Sequence, residues 1–180
     1  VRNSADLPDL LVEAFRLAES GRPGPVVLDV PKDVQTETIE IAGWPTPVTA
    51  QPVAGIDGLA IEHAARMIAA AQRPVLYVGG GVTQARAQSA AQALAERAGL
   101  PTTTTLMALG TLPPDHPLGL GMLGMHGARH TNLVLDECDL LIAVGARFDD
   151  RATGRLDRFC PKARVIHVDA DTRELGKLRR

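Results

Sequence analysis

From Ile56 onward, segments with helical spacing alternate with short apolar or β-branched segments, and this alternation limits the possible folds more than any other feature. The strand-like segments are PVLYVGGG, TTTTL, LLIAVG and ARVIHVD. Helical faces are predicted at Ile61, Ala64, Ala65, Ile68 and Ala69 after an Asp57 cap, at Ala87, Ala90, Ala91, Leu94 and Ala98 before Gly99, and around residues 128–137. Strands separated by helices form right-handed βαβ units. The sequence therefore predicts an α/β fold with a Rossmann-like parallel sheet covered by helices on both faces, over residues 56–180.

Residues 1–31 do not fit this alternation. Leu7, Leu10, Leu11, Ala14, Phe15 and Ala18 form one apolar stripe, which predicts an amphipathic helix from about Ala5 to Ser20 with Ser4 as its N-cap. PVVLDVP at 25–31 predicts a buried parallel strand. Because one helix and one strand cannot make a sheet, residues 1–31 are interpreted as the C-terminal end of a preceding domain. Residues 32–55 are rich in Pro, Thr and Gly and predict a linker.

Charge and composition exclude several classes of partner. The formal net charge is −2 and aromatic residues make up 3% of the chain, so neither a basic surface nor stacking platforms for nucleic acid are expected. The two cysteines, Cys138 and Cys160, show no CxxC spacing and are predicted to be reduced structural thiols, and no metal site is predicted. No apolar run approaches about 18 residues and no signal pattern is found, which predicts no membrane partner and a cytoplasmic or organelle-matrix location.

The residues that follow each predicted strand are the candidate ligand contacts, because ligands of open parallel sheets bind beyond the carboxyl ends of the strands. Gly79, Gly80 and Gly81 follow the first strand; they fit either a nucleotide site or a plain tight turn. Thr105, Leu106 and Met107 follow the second strand, whereas Thr102 to Thr104 are interpreted as strand formers. His126 is a loop histidine with no partners that would make it a general base.

The third strand is followed by GARFDDR, with two arginines and two aspartates in five residues. Arg147 and Arg151 could bind phosphate, and Asp149 and Asp150 could accept from ribose or hold the arginines; a surface ion-pair cluster is the alternative. Asp169 ends the fourth strand, where a carboxylate can accept from ribose hydroxyls, and Asp171 is expected to cap a following helix. The residues alone thus predict a mononucleotide or dinucleotide binder without visible catalytic machinery.

GMLGMHG together with GARFDDR, preceded by TTTL and SGRPGPVVLDVPKD, closely resembles the catalytic large subunit of acetolactate synthase (acetohydroxyacid synthase), over essentially the whole chain. The resemblance implies a thiamine-diphosphate-dependent transferase that decarboxylates pyruvate and joins the hydroxyethyl unit to a second 2-oxo acid such as 2-oxobutyrate, in branched-chain amino acid biosynthesis. Such enzymes have a pyrimidine-binding N-terminal domain, a central FAD-binding domain and a C-terminal domain that binds diphosphate through Mg²⁺. Residues 1–31 then end the first domain, 32–55 form the linker and 56–180 form the FAD-binding domain.

The resemblance also implies a set of FAD contacts, in which the flavin acts mainly structurally. They are Arg22, Gly79, Gly80, Gly81, Thr105, Leu106, Met107, Leu123, Met125, His126, Gly145, Ala146, Arg147, Asp149, Arg151, Asp169 and Ala170. In the same family Arg147, Asp150 and Arg151 approach the channel to the active site. A homodimer or tetramer, a regulatory small subunit and the bacterial cytoplasm are implied as well.

Two departures and three alternatives accompany the resemblance. The glutamate that activates thiamine diphosphate is expected upstream of Val1, and no GDG motif occurs, so the chain by itself is expected to hold no catalytic residue and no synthase activity. Another FAD-bearing relative such as glyoxylate carboligase, a central domain that has lost its ligand, and a stand-alone NAD-type module are the alternatives. The set Arg147, Asp149 and Arg151 argues against a lost ligand, because an empty cleft gives no reason to keep like charges close together.

Overall fold

A computed structural model describes residues 1–41, 43–46 and 55–178, and the chain divides into two compact units, Val1–Gly55 and Ile56–Arg180. In the first unit, a 3-10 turn at Ser4–Asp6 leads into α1 (Leu7–Glu19), where the amphipathic helix is predicted. Ser4 is not its N-cap. The turn starts one residue earlier and is capped by Asn3, which accepts from the N–H of Ala5 at 3.0 Å, so the Ser4 hydroxyl is buried and donates to Glu37 at 2.5 Å.

The strand predicted over residues 25–31 is wrong, since the described part of the first unit has no strand. Val27 is 87% exposed there, and Val26 is also exposed. An apolar segment becomes a strand only when a neighbouring strand pairs with its backbone, and none of the described residues offers that partner.

A short helix, α2 (Lys32–Thr36), begins after Pro31 within the predicted linker. It is held by the buried side chain of Val34. The other residues predicted as linker have no helix or strand where they are described, and residues 42 and 47–54 lie outside the described part of the chain.

The second unit contains a five-stranded parallel sheet, which confirms the predicted fold class. Its strands are β1 (Pro74–Val78), β2 (Thr102–Thr104), β3 (Gly119–Met122), β4 (Leu140–Val144) and β5 (Arg164–Val168). Their spatial order is β3-β2-β1-β4-β5, and every neighbouring pair is parallel. The order reverses at β1, so the topological switch point lies between β1 and β4.

Helices cover both faces of this sheet. The longer ones are α3 (Gly58–Ala70), α5 (Gln88–Ala98) and α6 (Arg129–Glu137), and the short ones are α4 (Gly80–Gln84) and α7 (Asp150–Thr153). One core joins alternate strand residues such as Leu76 and Ile142 to α3 and α5, and the other joins Tyr77 and Leu141 to α6. Cys138 and Cys160 are buried in the second of these cores.

The sequence signals at the ends of α3 and α5 are confirmed. Asp57 accepts from the N–H of Leu59 at 2.9 Å, and Gly99 ends α5 with a left-handed φ of 61° that suits glycine. The buried residues of α5 are Ala91 and Ala95, whereas Ala90 and Ala98 of the predicted face are exposed. The apolar spacing thus predicted where the helix lies along the chain, but it misplaced the buried face by about one residue.

β3 lies between the predicted strand TTTTL and the predicted helix around residues 128–137, where no strand was predicted. The segment GLGM is an edge strand with two glycines, and its register with β2 shifts between Thr102 and Thr103. The Thr103 hydroxyl donates to the Gly121 carbonyl at 2.9 Å and thereby adds a side-chain bond to this irregular ladder. Glycine-rich edge strands carry no alternation in the sequence, so this strand exists because β2 is available to pair with it.

Asp139, which directly precedes β4, joins the start of β1 to the sheet. Its carboxylate accepts from the N–H groups of Gln72 at 2.7 Å and Arg73 at 2.9 Å, and these bonds hold the pKa of Asp139 below its ordinary value of 3.8.

We expect Asp139→Asn to lower the free energy of unfolding near neutral pH, where the wild-type carboxylate is charged and accepts both bonds. A carboxylate whose pKa is lower in the folded state stabilises the fold above its unfolded pKa and loses this contribution as the pH falls through the folded pKa. The gap between wild type and variant should therefore be full above about pH 5 and close toward pH 3. Urea titrations across that range measure it, with Asp115→Asn, at an exposed position, as the control; a gap that is independent of pH would contradict this account.

Candidate functional site

The strand exits meet at the carboxyl edge of the sheet, where the switch point between β1 and β4 forms the natural crevice for a ligand. The loop after β1 contacts the loop after β4 through glycine. A Cβ atom on Gly79 would overlap the carbonyl oxygen of Gly145, and one on Gly81 would lie 2.8 Å from the Gly145 Cα. Glycine is thus required here for the approach of two backbones.

The N–H groups of this glycine loop are largely used inside the protein. Gly79 donates to the carbonyl of Val144 at 2.9 Å, and Gly81 donates to that of Gly145 at 3.0 Å. Both donors hold the two loops together and are not directed at a ligand. Gly79 to Gly81 therefore differ from a phosphate-binding glycine loop, in which the N–H groups face the anion.

The loop after β2 packs against α4. The hydroxyl of Thr83 donates to the carbonyl of Met107 at 3.1 Å, and a Cβ on Gly80 would lie 2.9 Å from the Met107 Cβ. This contact leaves the side chains of Leu106 and Met107 68% and 72% exposed. Thr105 carries a buried hydroxyl that has no hydrogen-bond partner among the described residues. Two large apolar side chains and an unsatisfied hydroxyl thus lie beside the crevice.

The two glycine-containing motifs, GMLGMHG and GARFDDR, contact each other. A 3-10 turn at Gly124–His126 follows β3, and a Cβ on Gly124 would overlap the carbonyl oxygen of Arg151 and lie 2.7 Å from the Ala152 Cα. Asn132 of α6 fixes this turn, because its side chain accepts from the Gly124 N–H at 2.9 Å and donates to the Gly124 carbonyl at 3.1 Å. GMLGMHG and GARFDDR therefore form one surface, on which Met125 and His126 are exposed.

The charged residues of GARFDDR are exposed, and among the described residues none of their side chains forms an ion pair. The surface ion-pair cluster is therefore not what this segment forms. Asp149 instead caps α7 by accepting from the Ala152 N–H at 3.2 Å. The guanidinium groups of Arg147 and Arg151 have no hydrogen-bond partner in the described part of the chain, which leaves their donors available to an anion.

A cleft of about 410 Å³ runs between α6 and the α7 segment. Its polar lining includes Arg151, Asp150 and Arg158, and Met125 and Phe159 supply apolar surface. This mixture of cationic and apolar groups suits a ligand that carries both an anion and a ring.

The exit of β5 lies beside that of β4, where Gly145 donates to the Val168 carbonyl at 2.8 Å. Asp169 is half-buried and accepts from the Asp171 N–H at 2.8 Å. The prediction that Asp171 caps a helix is wrong: its carboxylate accepts from the N–H and guanidinium of Arg173, within a series of turns over residues 172–177. The carboxylate therefore stabilises a local turn.

The structure brings together almost all of the predicted contact residues. Gly79 to Gly81, Thr105 to Met107, Leu123 to His126, Gly145 to Arg151 and Asp169 to Ala170 all follow strands of one sheet edge. Leu123 and Ala146 have buried side chains, so a ligand could contact them only through their backbone. Arg22 belongs to the first unit, and its assignment as a contact stays a prediction.

Sequence reasoning missed three residues that shape this site, Tyr77, Asn132 and His167. Tyr77 is fully buried, its hydroxyl has no partner among the described residues, and burial raises its pKa well above the ordinary value of 10.0. Asn132 sits in an otherwise ordinary helix, and no sequence pattern marks it. His167 lies on β5 and faces the GARFDDR loop, and a polar residue at an inward strand position was the only available signal.

The residues fit a flavin dinucleotide by their chemistry. The guanidinium groups of Arg147 and Arg151, which form no ion pair with any described residue, suit a diphosphate. The Asp169 carboxylate suits ribose hydroxyls, and exposed Met107 and Met125 suit aromatic rings. Among the described residues, no group of three or more His, Cys, Asp or Glu is placed to hold a metal ion. No helix in the described ranges is long and apolar enough to cross a membrane.

Comparison with known proteins agrees with the resemblance that the sequence motifs indicate. Residues 61–180 match the family model of the thiamine pyrophosphate enzyme central domain. The chain is 56% identical over 179 residues to the acetolactate synthase isozyme 1 large subunit of Escherichia coli, which covers 99% of the chain and 32% of that protein. It is 49% identical over 182 residues to the acetolactate synthase large subunit of Corynebacterium glutamicum (99% and 29%), and 44% identical over 182 residues to a probable acetolactate synthase large subunit of Methanocaldococcus jannaschii (98% and 31%). The chain spans about a third of the length of these curated relatives.

Proposed function

Since the chain belongs to the thiamine pyrophosphate enzyme central-domain family, we propose that residues 56–180 are the FAD-binding central domain of an acetolactate synthase large subunit. One observation carries the FAD assignment. At the sheet edge where ligands of this fold bind, Arg147 and Arg151 follow β4 without ion-pair partners in the described part of the chain, and Met107 follows β2 with an exposed side chain. Anion donors next to apolar surface fit the two parts of a flavin dinucleotide.

The roles of the residues follow from their chemistry. Arg147 and Arg151 would bind the diphosphate, because a guanidinium offers several N–H donors in a fixed planar arrangement. Asp169 would accept from ribose, and Leu106, Met107 and Met125 would cover the ring systems. In this family the flavin supplies no net redox chemistry, and its role at the active site would be mainly structural.

For the full-length protein we propose the chemistry that the resemblance implies. Pyruvate is decarboxylated and its two-carbon remainder is condensed with a second 2-oxo acid, pyruvate or 2-oxobutyrate, in branched-chain amino acid biosynthesis. Thiamine diphosphate and Mg²⁺ would bind outside this chain. A homodimer or tetramer with a regulatory small subunit, in the bacterial cytoplasm, completes the proposal. The relatives' printed names, all acetolactate synthase large subunits, support this function over glyoxylate carboligase.

Titration of the full chain with FAD tests the proposal. We expect saturable changes in flavin absorbance and fluorescence, and at least about tenfold weaker binding of NAD, which lacks a flavin ring for the exposed methionines to cover. Equal affinity for the two dinucleotides would indicate a general nucleotide site. Absence of binding of either would contradict the assignment of a self-sufficient FAD site to residues 56–180.

A further inference from the structure

His167 contacts both residues that flank Arg147. Its Nε2 lies 3.0 Å from the carbonyl oxygen of Ala146, and its ring meets that of Phe148 edge to face, with centroids 5.1 Å apart. A carbonyl oxygen only accepts, so Nε2 carries the proton and donates. One side chain from β5 thus fixes the backbone before Arg147 and the ring after it.

The register of the sheet provides the place into which Phe148 packs. Tyr77, Ala143 and His167 are aligned across β1, β4 and β5, and Ala143 is the small residue between two rings. Phe148 contacts both neighbours, at 5.9 Å from Tyr77 and 5.1 Å from His167 between ring centroids. It is 3% exposed, whereas Arg147 beside it is exposed. Burial of Phe148 is therefore coupled to the outward direction of Arg147.

The backbone of residues 145–149 needs surrounding contacts to keep its conformation. Gly145 has a φ of 59°, which glycine tolerates, but Phe148 has a φ of 56° and carries a Cβ. A bulky residue remains in the left-handed region only where surrounding contacts determine it, and such residues cluster at functional sites. The contacts that determine it here include those of His167.

We propose that His167 is a positioning residue for anion binding: it holds residues 145–149 in the conformation that presents the Arg147 guanidinium to the ligand. It does so without touching the ligand, chiefly through the hydrogen bond to the Ala146 carbonyl, and the contact with the Phe148 ring contributes less. The inference rests on the proposed function for the identity of the ligand, FAD. Its conformational part concerns the protein alone.

Two amide substitutions separate the hydrogen bond from a general effect on the core. In His167→Gln, the amide nitrogen reaches the position of Nε2 and can donate to Ala146; in His167→Asn, the same group is one carbon shorter and cannot. His167→Phe keeps a ring for Phe148 and removes the donor. Each variant is made in the full chain and also in an Arg147→Ala background.

Affinity for FAD and hydrogen exchange of residues 145–149 in the ligand-free protein are the two measurements. We expect Asn and Phe variants to bind FAD about tenfold more weakly and to exchange faster over these residues, and the Gln variant to stay within about twofold of wild type. In the Arg147→Ala background the Asn and Phe substitutions should cost no further affinity, because the residue they position is gone.

Equal losses with and without Arg147, or loop exchange unchanged by the Asn variant, would overturn the positioning role. A wild-type chain that binds no FAD would instead contradict the proposed function. The exchange comparison of the Gln and Asn variants would still decide whether His167 holds the loop, because it needs no ligand.

Discussion

Replacing Gly79 with alanine is expected to destabilise the second unit by about 3 kcal/mol or more, through overpacking against a backbone that has no room to move. The new methyl group would overlap the Gly145 carbonyl and lie 2.6 Å from the Ala146 Cα. Both atoms belong to a loop tied down by the bonds from Gly79 to Val144 and from Gly81 to Gly145. Urea unfolding of the full chain measures the loss.

Two other glycines provide the controls. Gly58 begins α3 and has open space around its Cβ position, so Gly58→Ala should be neutral or stabilise by up to about 1 kcal/mol. Gly80→Ala places its methyl group 2.9 Å from the Met107 Cβ, which moves only with the backbone of that loop, so it should cost about 1 to 3 kcal/mol and fall between the other two variants. If Gly79→Ala were as stable as Gly58→Ala, the close approach of the two loops would not exist in solution.

The sheet of the second unit could largely be predicted because the burial of its central strands is evident from their apolar sequence. Strands β1 and β4 are buried on both faces and are therefore continuous apolar segments. The same signal failed at residues 25–31, where an equally apolar segment has no neighbouring strand among the described residues. An apolar composition indicates that a segment tends to be buried. Which element buries it depends on the rest of the chain.

The opposite failure occurred at β3, where a strand formed without a strand-like sequence. Gly119–Met122 pairs with β2 because the backbone of Thr102–Thr104 would otherwise have one unpaired side. The side chains of the strand contribute little to its existence. Such an edge strand forms only in the assembled sheet and cannot be predicted from its own sequence.

For the candidate site, the sheet topology made the residues at the strand exits predictable, whereas the packing between the loops could not be predicted. Residues after parallel strands must share one edge, which is why Arg147 and Asp169 could be grouped before the structure was known. The direct contact between Gly79 and Gly145 depends on the distance between two backbones. Likewise, the pairing of His167 with Ala146 joins residues that only the strand register brings together.

Removing the Arg147 guanidinium should weaken FAD binding by about 1.5 to 3 kcal/mol, roughly a 10- to 150-fold rise in Kd, which is the usual loss for a hydrogen bond to a charged group. Arg147 is the exposed residue of a segment whose neighbours Ala146 and Phe148 are buried, so Arg147→Ala removes the proposed ligand contact without opening the core. The free energy of unfolding should change by less than about 0.5 kcal/mol. Fluorescence titration and urea unfolding of the same variant separate the two effects.

Charge alone would not account for the full loss, and Arg147→Lys tests this point. A lysine keeps the positive charge but lacks the planar set of donors, so it should recover only part of the affinity and show a steeper decline with salt. Arg97→Ala is the matched control, because Arg97 lies in the last turn of α5, just before β2 and therefore at the opposite edge of the sheet. A Kd for Arg147→Ala equal to that of Arg97→Ala would remove Arg147 from the site and, with it, the main support for an anion at the switch point.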